Sequence, residues 1–131
     1  SGLTHCFPTA KELLGADLAT VGMSARRRQT LQGLAQAVAD GTIDLSLHTD
    51  LEDFIQRLTR LPGIGPWTAQ YVALRALGEP DAFPAGDLGL AQALARNGRK
   101  PTQRQILERA ESWRPWRAYA VMGLWQTLED R

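Results

Sequence analysis

The sequence predicts an all-α protein, a bundle of six or seven helices joined by short loops. Apolar residues recur at intervals of three and four in several segments, which is the spacing of one helix face. A serine, threonine or aspartate stands just before most of these segments, where its side-chain oxygen can cap the first turn of a helix. Because no segment alternates strongly between apolar and polar residues, we expect no sheet.

The length and composition are typical of one soluble globular domain spanning residues 1–131. A chain of 131 residues is too short for two full domains, and 44% hydrophobic with 22% charged residues is an ordinary balance. No apolar run approaches the roughly 20 residues of a membrane-spanning helix, and no signal peptide is visible. We therefore expect a monomer with no membrane partner. The chain opens on Ser1 rather than methionine, which suggests a fragment, a processed chain or a tag remnant.

A single cysteine limits the redox and metal chemistry of the chain. Cys6 alone excludes an internal disulfide and a cluster held by four cysteines. Beside the apolar Phe7, it is predicted to be a small core residue. His5 and His48 lack the spacing of metal ligands, and neither is assigned a role.

The first 41 residues predict three helices, each of which follows a capping residue. Their caps and spans are Thr9 with 10–14, Asp17 with 18–21, and Ser24 with 25–39. Gly22 ends the second helix, and Asp40-Gly41 ends the third. The third has the clearest buried face, formed by Leu31, Leu34, Ala35 and Val38. Residues 42–48 are predicted to form a loop with a weak alternation.

Further helices are predicted over 50–60, 67–77, 87–95, 103–111 and 115–128. Thr49 or Asp50 caps the first of these and Thr102 caps the fourth, while Pro115 suits the first turn of the last. Residues 78–86 are irregular, and 97–101 form a turn. The predicted inward residues are Leu51, Phe54, Ile55 and Leu58, then Ala69, Val72, Ala73 and Ala76, and then Ile106, Leu107 and Ala110.

The stretch 61–69, Leu-Pro-Gly-Ile-Gly-Pro-Trp-Thr-Ala, joins two of these helices. Gly63 and Gly65 are predicted to supply a tight turn with positive φ and an unshielded backbone. Pro66 suits the first turn of the following helix, where a missing N–H costs nothing. The bare N–H groups and the positive end of the helix dipole would make an anion site. The alternative is a plain αα-hairpin in which the glycines serve only packing.

The pattern L-P-G-I-G-x-x-T-A resembles the helix-hairpin-helix of DNA repair glycosylases, here spanning about 50–77. The segment 81–87, Asp-Ala-Phe-Pro-Ala-Gly-Asp, resembles the Gly/Pro-rich loop ending in an aspartate that completes the signature of the HhH-GPD superfamily; this loop spans about 79–88. Within that superfamily the sequence is most similar to the DNA-3-methyladenine glycosylase II (AlkA) type, also through residues 6–9 and 111–120. The resemblance covers about Phe7 to Leu128.

The resemblance implies a monofunctional DNA glycosylase of base excision repair. Such an enzyme flips an alkylated, 3-methyladenine-like base out of double-stranded DNA and hydrolyses its N-glycosidic bond. It would act at the bacterial nucleoid in the cytoplasm, or in a eukaryotic nucleus. The family has a longer N-terminal half, so the remaining part of the same protein is an expected partner. The alternative is a helix-hairpin-helix module that binds DNA without catalysis.

Asp87 is the strongest candidate for a catalytic residue. It follows Gly86 at or just before a helix N-terminus, where an aspartate alone would be interpreted as a cap. In the family that the chain resembles, the aspartate at this position is catalytic. Its charge stabilises the positive deoxyribose that forms as the glycosidic bond breaks, and it can orient or deprotonate a water. Asp81 is a weaker alternative and is more typical of a loop residue.

The resemblance also implies a base-binding set of Trp67, Tyr71 and Trp125. Trp67 stands where bifunctional members carry a Schiff-base lysine, which indicates hydrolysis by water. An alkylated purine is cationic, and an indole face attracts a cation by roughly 0.5 to 2 kcal/mol. The alternative for all three is a core position, and this is the prediction for Trp113 and Trp116.

Backbone groups are expected to hold the DNA. The implied phosphate contacts are the amides of Gly63, Gly65 and Thr68, and the implied ligands of a monovalent cation, sodium or potassium, are the carbonyls of Thr59, Leu61 and Ile64. We expect no other cofactor. A net charge of +1 is low for a protein that grips DNA by charge. The basic clusters 26–28 and 96–100 are predicted to be solvated faces, with phosphate contact as the alternative. Leu88 replaces an aromatic of the nearest relatives, which leaves substrate range open.

Overall fold

The computed structural model describes residues 2–46 and 50–131, and within them it contains helices and turns but no strand. In these ranges the α-helices run over Ala10–Gly15 (α1), Ala25–Ala39 (α2), Leu51–Thr59 (α3), Pro66–Ala76 (α4), Leu88–Ala93 (α5), Gln103–Ala110 (α6) and Arg117–Glu129 (α7). Two 3₁₀ turns, Leu18–Val21 and Glu111–Trp113, precede α2 and α7. The predicted all-α fold is confirmed. No helix within the described ranges combines the length and the apolar character needed to cross a membrane.

The predicted helix caps form as expected. Side-chain oxygens of Thr9, Asp17, Ser24, Asp50 and Thr102 accept bonds of 2.9 to 3.3 Å from backbone amides two or three residues further on. The first and last belong to capping boxes, in which a Glu or Gln side chain returns a bond to the cap backbone. His48 and Thr49, the alternative cap, lie outside the described residues.

The core lies between α3, α4, α5 and α7. Phe54 and Leu58 of α3, Ala69 and Ala73 of α4, and Val121 of α7 are each exposed by 1% or less. The helices pack in pairs, α1 on α2, α3 on α4, and α5 on α7. Because α1 buries no residue, the hydrophobic stabilisation comes mainly from the helices after residue 50.

The irregular segment between α4 and α5 is anchored to α7. Asp81 accepts bonds from Arg117 Nε at 2.9 Å and from Arg114 at 2.7 Å. Arg117 is 7% exposed and also donates to the Asp81 carbonyl at 2.9 Å. The Pro80 carbonyl accepts the Ala118 amide at 2.9 Å. Asp81 is therefore a partner for a buried cation, which gives it a structural role.

Two predicted inward positions are wrong. Ala76 is exposed, and Leu74 and Leu77 are buried in its place. Helix α4 packs on α3 and also contacts Asp87 and Trp125 through Trp67 and Tyr71, so its buried residues differ from the single predicted stripe. Leu107 is 39% exposed, whereas Ile106 beside it is buried.

Two predicted core residues are on the surface, and one helix begins later than expected. Cys6 is exposed, because it lies on the extended segment before α1, which itself covers nothing. Trp116 is 58% exposed and packs edge-on against Tyr119. With φ −118° and ψ 26°, Trp116 has non-helical backbone angles, so α7 begins at Arg117 and not at Pro115.

Candidate active site and nucleic-acid interface

The carboxylate of Asp87 receives three N–H groups from three different helices. Oδ1 accepts the indole N–H of Trp67 in α4 at 2.9 Å, and Oδ2 accepts that of Trp125 in α7 at 2.8 Å. Oδ2 also accepts the backbone amide of Leu90 at 2.9 Å, which caps α5. Asp87 is thus a helix cap and the meeting point of two tryptophans, so the two interpretations of this residue are compatible.

This arrangement leaves one acceptor site on the carboxylate. Each carboxylate oxygen can accept about two hydrogen bonds. Oδ2 already accepts two and Oδ1 accepts one, so Oδ1 has room for a further donor. Asp87 forms no ion pair with the described residues. Its negative charge is therefore held by dipoles and is not neutralised by a neighbouring cation.

The predicted aromatic set lies around one cavity of about 530 Å³. Its walls are Trp67, Tyr71, Arg75, Asp87, Met122, Trp125, Gln126 and Glu129. Trp67 and Tyr71 stack with ring centroids 4.8 Å apart and planes 13° apart, which leaves no space for a base between them. Tyr71 and Trp125 lie 6.1 Å apart at 50°. A flat ligand would thus have to use the open ring faces that border the cavity.

The hairpin turn between α3 and α4 exposes its backbone. Gly63 has φ +88°, and a Cβ there would collide with the Thr30 hydroxyl of α2. Gly65 has φ −92° and ψ 178°, so the prediction of positive φ is wrong for it; it is an extended N-cap. Both glycines are exposed. Because Gly65 offers no side-chain cap and Pro66 no N–H, the first-turn amides of α4, including that of Thr68, have no capping partner.

Of the carbonyls proposed as cation ligands, those of Thr59 and Leu61 lie just before the two glycines, and that of Ile64 lies between them. Thr59 ends α3, and the Leu61 carbonyl accepts the Ile64 amide at 3.2 Å. Thr59 and Leu61 thus lie near the negative end of the α3 dipole. Among the described residues, no cluster of His, Cys, Asp and Glu suggests another metal site.

Several curated proteins are similar to this chain in sequence. No protein-family profile matches the chain. It is 41% identical over 127 residues to the probable bifunctional transcriptional activator/DNA repair enzyme AlkA of Mycobacterium tuberculosis, covering 97% of this chain and 26% of the relative. It is 39% identical over 125 residues to DNA-3-methyladenine glycosylase 2 of Escherichia coli, covering 93% and 43%.

A solved structure is similar to this chain in fold. The 3-methyladenine DNA glycosylase Mag1 of Schizosaccharomyces pombe, in complex with abasic DNA, superposes with a TM-score of 0.81 at 30% identity. The match covers 94% of this chain and 64% of that one. The chain is therefore similar in sequence and in fold to proteins named as DNA-3-methyladenine glycosylases. It spans less than half the length of the two curated relatives named above, 26% and 43%.

Sequence reasoning missed four residues that line the cavity, Arg75, Met122, Gln126 and Glu129, and also Gly89 beside Asp87. The Arg75 guanidinium lies 5.6 Å from the Tyr71 ring centroid and 5.7 Å from that of Trp125. Its spacing of four residues from Tyr71 was a usable signal, since it predicts the same helix face. At Gly89, a Cβ would lie 2.9 Å from Asp87 Oδ2. Only the tertiary structure shows why this position has no side chain.

Proposed function

We propose that the protein containing this chain is a monofunctional DNA glycosylase of base excision repair. It hydrolyses the N-glycosidic bond of alkylated, 3-methyladenine-like bases flipped out of double-stranded DNA. The observation that carries this proposal is the Asp87 carboxylate at the wall of an aromatic cavity, held there by two indole N–H groups. Relatives named as DNA-3-methyladenine glycosylases support the same class of reaction.

Binding of the base comes first. The flipped base enters the cavity and stacks on the open aromatic faces of Tyr71 and Trp125. A cationic alkylated purine gains roughly 0.5 to 2 kcal/mol from an indole face over a neutral base. Arg75 covers part of the same faces, so a bound cationic base has to displace its guanidinium.

The second step is cleavage of the glycosidic bond. The bond between the sugar C1′ and the base nitrogen breaks, and both electrons leave with the base, so positive charge develops on the deoxyribose. The carboxylate of Asp87 stabilises that charge. Water forms the new bond to C1′ and releases a proton, and the vacant acceptor site on Oδ1 is suited to orient this water or to take the proton. The product is a free base and an intact strand with an abasic site.

The lysine positions support water as the nucleophile. A glycosylase that also cuts the strand uses an amine to form a Schiff base with the sugar. The lysines of this sequence are Lys11 and Lys100, and neither lines the cavity. The indole of Trp67 takes the corresponding place, and its N–H holds the catalytic carboxylate instead.

The hairpin binds the phosphate backbone of the DNA. Amides of Gly63, Gly65 and Thr68 contact phosphate oxygens at the positive end of the α4 dipole. A sodium or potassium ion on the carbonyls of Thr59 and Leu61, and of Ile64 beside them, would add positive charge near that phosphate. Such contacts set the position of the duplex but read no sequence.

Several exposed apolar side chains are available for contact with a further part of the protein. Leu3, Phe7 and Leu88 are 87%, 88% and 79% exposed. Exposed apolar side chains of this size are compatible with a covering partner. We propose that the N-terminal part of the same protein covers some of them, that the complete protein is a monomer, and that it works at the bacterial nucleoid or in a eukaryotic nucleus.

The competing function is a helix-hairpin-helix module that only binds DNA. The exposed hairpin by itself is compatible with this alternative. A DNA clamp has no use, however, for Asp87 and Trp125, whose side chains meet across 38 residues of sequence.

The test is product analysis with the full-length protein on methylated duplex DNA. We expect free alkylated base, an uncut strand with an abasic site, and no covalent complex after borohydride treatment. Binding of the duplex without base release would favour the clamp. A trapped adduct would overturn the monofunctional mechanism.

A further inference from the structure

A second cavity, of about 440 Å³, lies between α6 and the turn that precedes it, outside the candidate active site. The side chains of Arg96, Arg99, Lys100 and Arg109 surround it, and the buried Leu94 and Ile106 form part of its lining. No acidic residue lines it. In the described part of the chain, none of the four cations forms an ion pair.

The turn holds two of these cations directly opposite each other. Asn97 and Gly98 have φ 51° and 74°, as in the tight turn of a hairpin. The flanking residues exchange backbone bonds: Arg96 N–H donates to the Arg99 carbonyl at 3.0 Å, and the reverse bond is 2.9 Å. Like charges directly opposite across such a pair are destabilising. Both arginines are exposed, so the turn presents two positive charges side by side to solvent.

Charge is concentrated in this segment. Residues 94–110 contain five basic residues and one acidic residue, net +4, whereas the whole chain contains 15 and 14, net +1. The remainder of the chain is therefore net −3. The one acidic residue, Glu108, is paired with Arg104 at 3.0 Å. Although the overall charge is low, this segment forms a localised positive patch. Such a patch is typical of a phosphate-binding surface.

Helix α6 separates this cavity from the hairpin. Gln103 and Leu107 line a groove shared with Pro66 and Trp67 at the start of α4. Ile106 and Arg109 line the cationic cavity on another side of the same helix. A helix with its side chains is about 10 to 12 Å across. The groove beside the start of α4 and the cationic cavity therefore lie on two sides of this one helix.

We propose that this cavity is a second phosphate site, which binds the DNA backbone beyond the hairpin contact. The proposal rests on the proposed function, because it takes DNA as the source of the phosphate. Arginine suits the role, since its planar fork binds two phosphate oxygens at once. The site strengthens and positions DNA binding and takes no part in bond cleavage.

The test is the salt dependence of duplex binding by the full-length protein. Each lost phosphate contact lowers the slope of log K against log salt by about 0.9. Arg96→Gln with Arg99→Gln should lower the slope by about 1 to 2, equally for damaged and undamaged duplex. Single-turnover base release at saturating DNA should stay at the wild-type rate. Arg104→Gln is the matched control, since Arg104 lies outside the cavity and pairs with Glu108; its slope should be unchanged.

Two further measurements keep the test decisive. Arg109→Gln, on α6 and away from the turn, should lower the slope by up to about 0.9 if turn variants misfold. A wild-type slope in both cavity variants, or an equal loss in Arg104→Gln, would refute the site. Competition by inorganic pyrophosphate without any change in DNA slope would also refute it, by assigning a small phosphate ligand instead. If the slope falls as expected but the wild-type protein releases no base, the site stands and the glycosylase proposal fails.

Discussion

Replacing Asp87 by Asn in the full-length protein should abolish most base release from alkylated DNA while duplex binding persists. The change removes the negative charge that opposes the positive sugar. Removing one group that stabilises developing charge typically slows an enzyme by about 10²- to 10³-fold. We expect a loss of at least this size, because Asp87 lines the cavity and its carboxylate accepts both indole N–H groups.

The structure also gives the expected effect on stability. An amide oxygen in the position of Oδ2 can still accept the Leu90 amide and the Trp125 indole N–H. The amide NH₂ then faces the Trp67 indole N–H, donor against donor, where Oδ1 accepted a bond of 2.9 Å. Losing this bond costs about 1 to 2 kcal/mol, since Trp67 is 40% exposed and its N–H can turn to water. The Tm of the full-length protein should fall accordingly.

The assay is alkylated-base release under single-turnover conditions, beside a thermal melt and a duplex-binding titration of the same preparation. Single turnover isolates the chemical step from slow product release. Asp50→Asn is the matched control, because Asp50 caps α3 at 2.9 Å and does not line the cavity. It should change neither activity nor, beyond a few tenths of a kcal/mol, stability. Trp67→Phe removes the same indole bond and should reproduce the Tm shift of Asp87→Asn.

Two results would refute this reasoning. Full base release by the Asn variant would remove the catalytic assignment of Asp87. A fall in Tm far beyond that of Trp67→Phe, together with loss of both activity and DNA binding, would show that Asp87 is structural.

Two further substitutions separate binding from chemistry. Gly65→Val should weaken binding to damaged and undamaged duplex alike while the melt is nearly unchanged, because a Cβ at Gly65 meets only open space on the exposed turn; a loss confined to damaged DNA would mean that the hairpin reads the lesion. Gly89→Ala should slow base release while duplex binding is retained, because its Cβ would lie 2.9 Å from Asp87 Oδ2 and 3.3 Å from the Trp125 ring, and must push them apart; an unchanged single-turnover rate would show that the Asp87–Trp125 contact is not required.

Local features were readable from the sequence because their partners are local. A cap such as Ser24 needs only its own oxygen and an amide three residues later, and a helical stripe such as Phe54 and Leu58 needs only spacing. The Asn97-Gly98 turn follows in the same way from residues that tolerate positive φ. The HhH-GPD resemblance added the candidate aspartate, which no spacing rule distinguishes from an ordinary cap.

The tertiary structure decided what depends on helix packing. Cys6 and Trp116 are apolar residues that the sequence alone would bury, yet both lie on the surface of the folded chain. The indole bonds to Asp87 join residues 20 and 38 positions apart. Such contacts depend on the crossing of α4, α5 and α7, and a periodic pattern specifies which face of a helix is apolar but not the angle at which two helices cross. The sequence thus determined the helices and the candidate residues, and only their packing brought the carboxylate between two tryptophans.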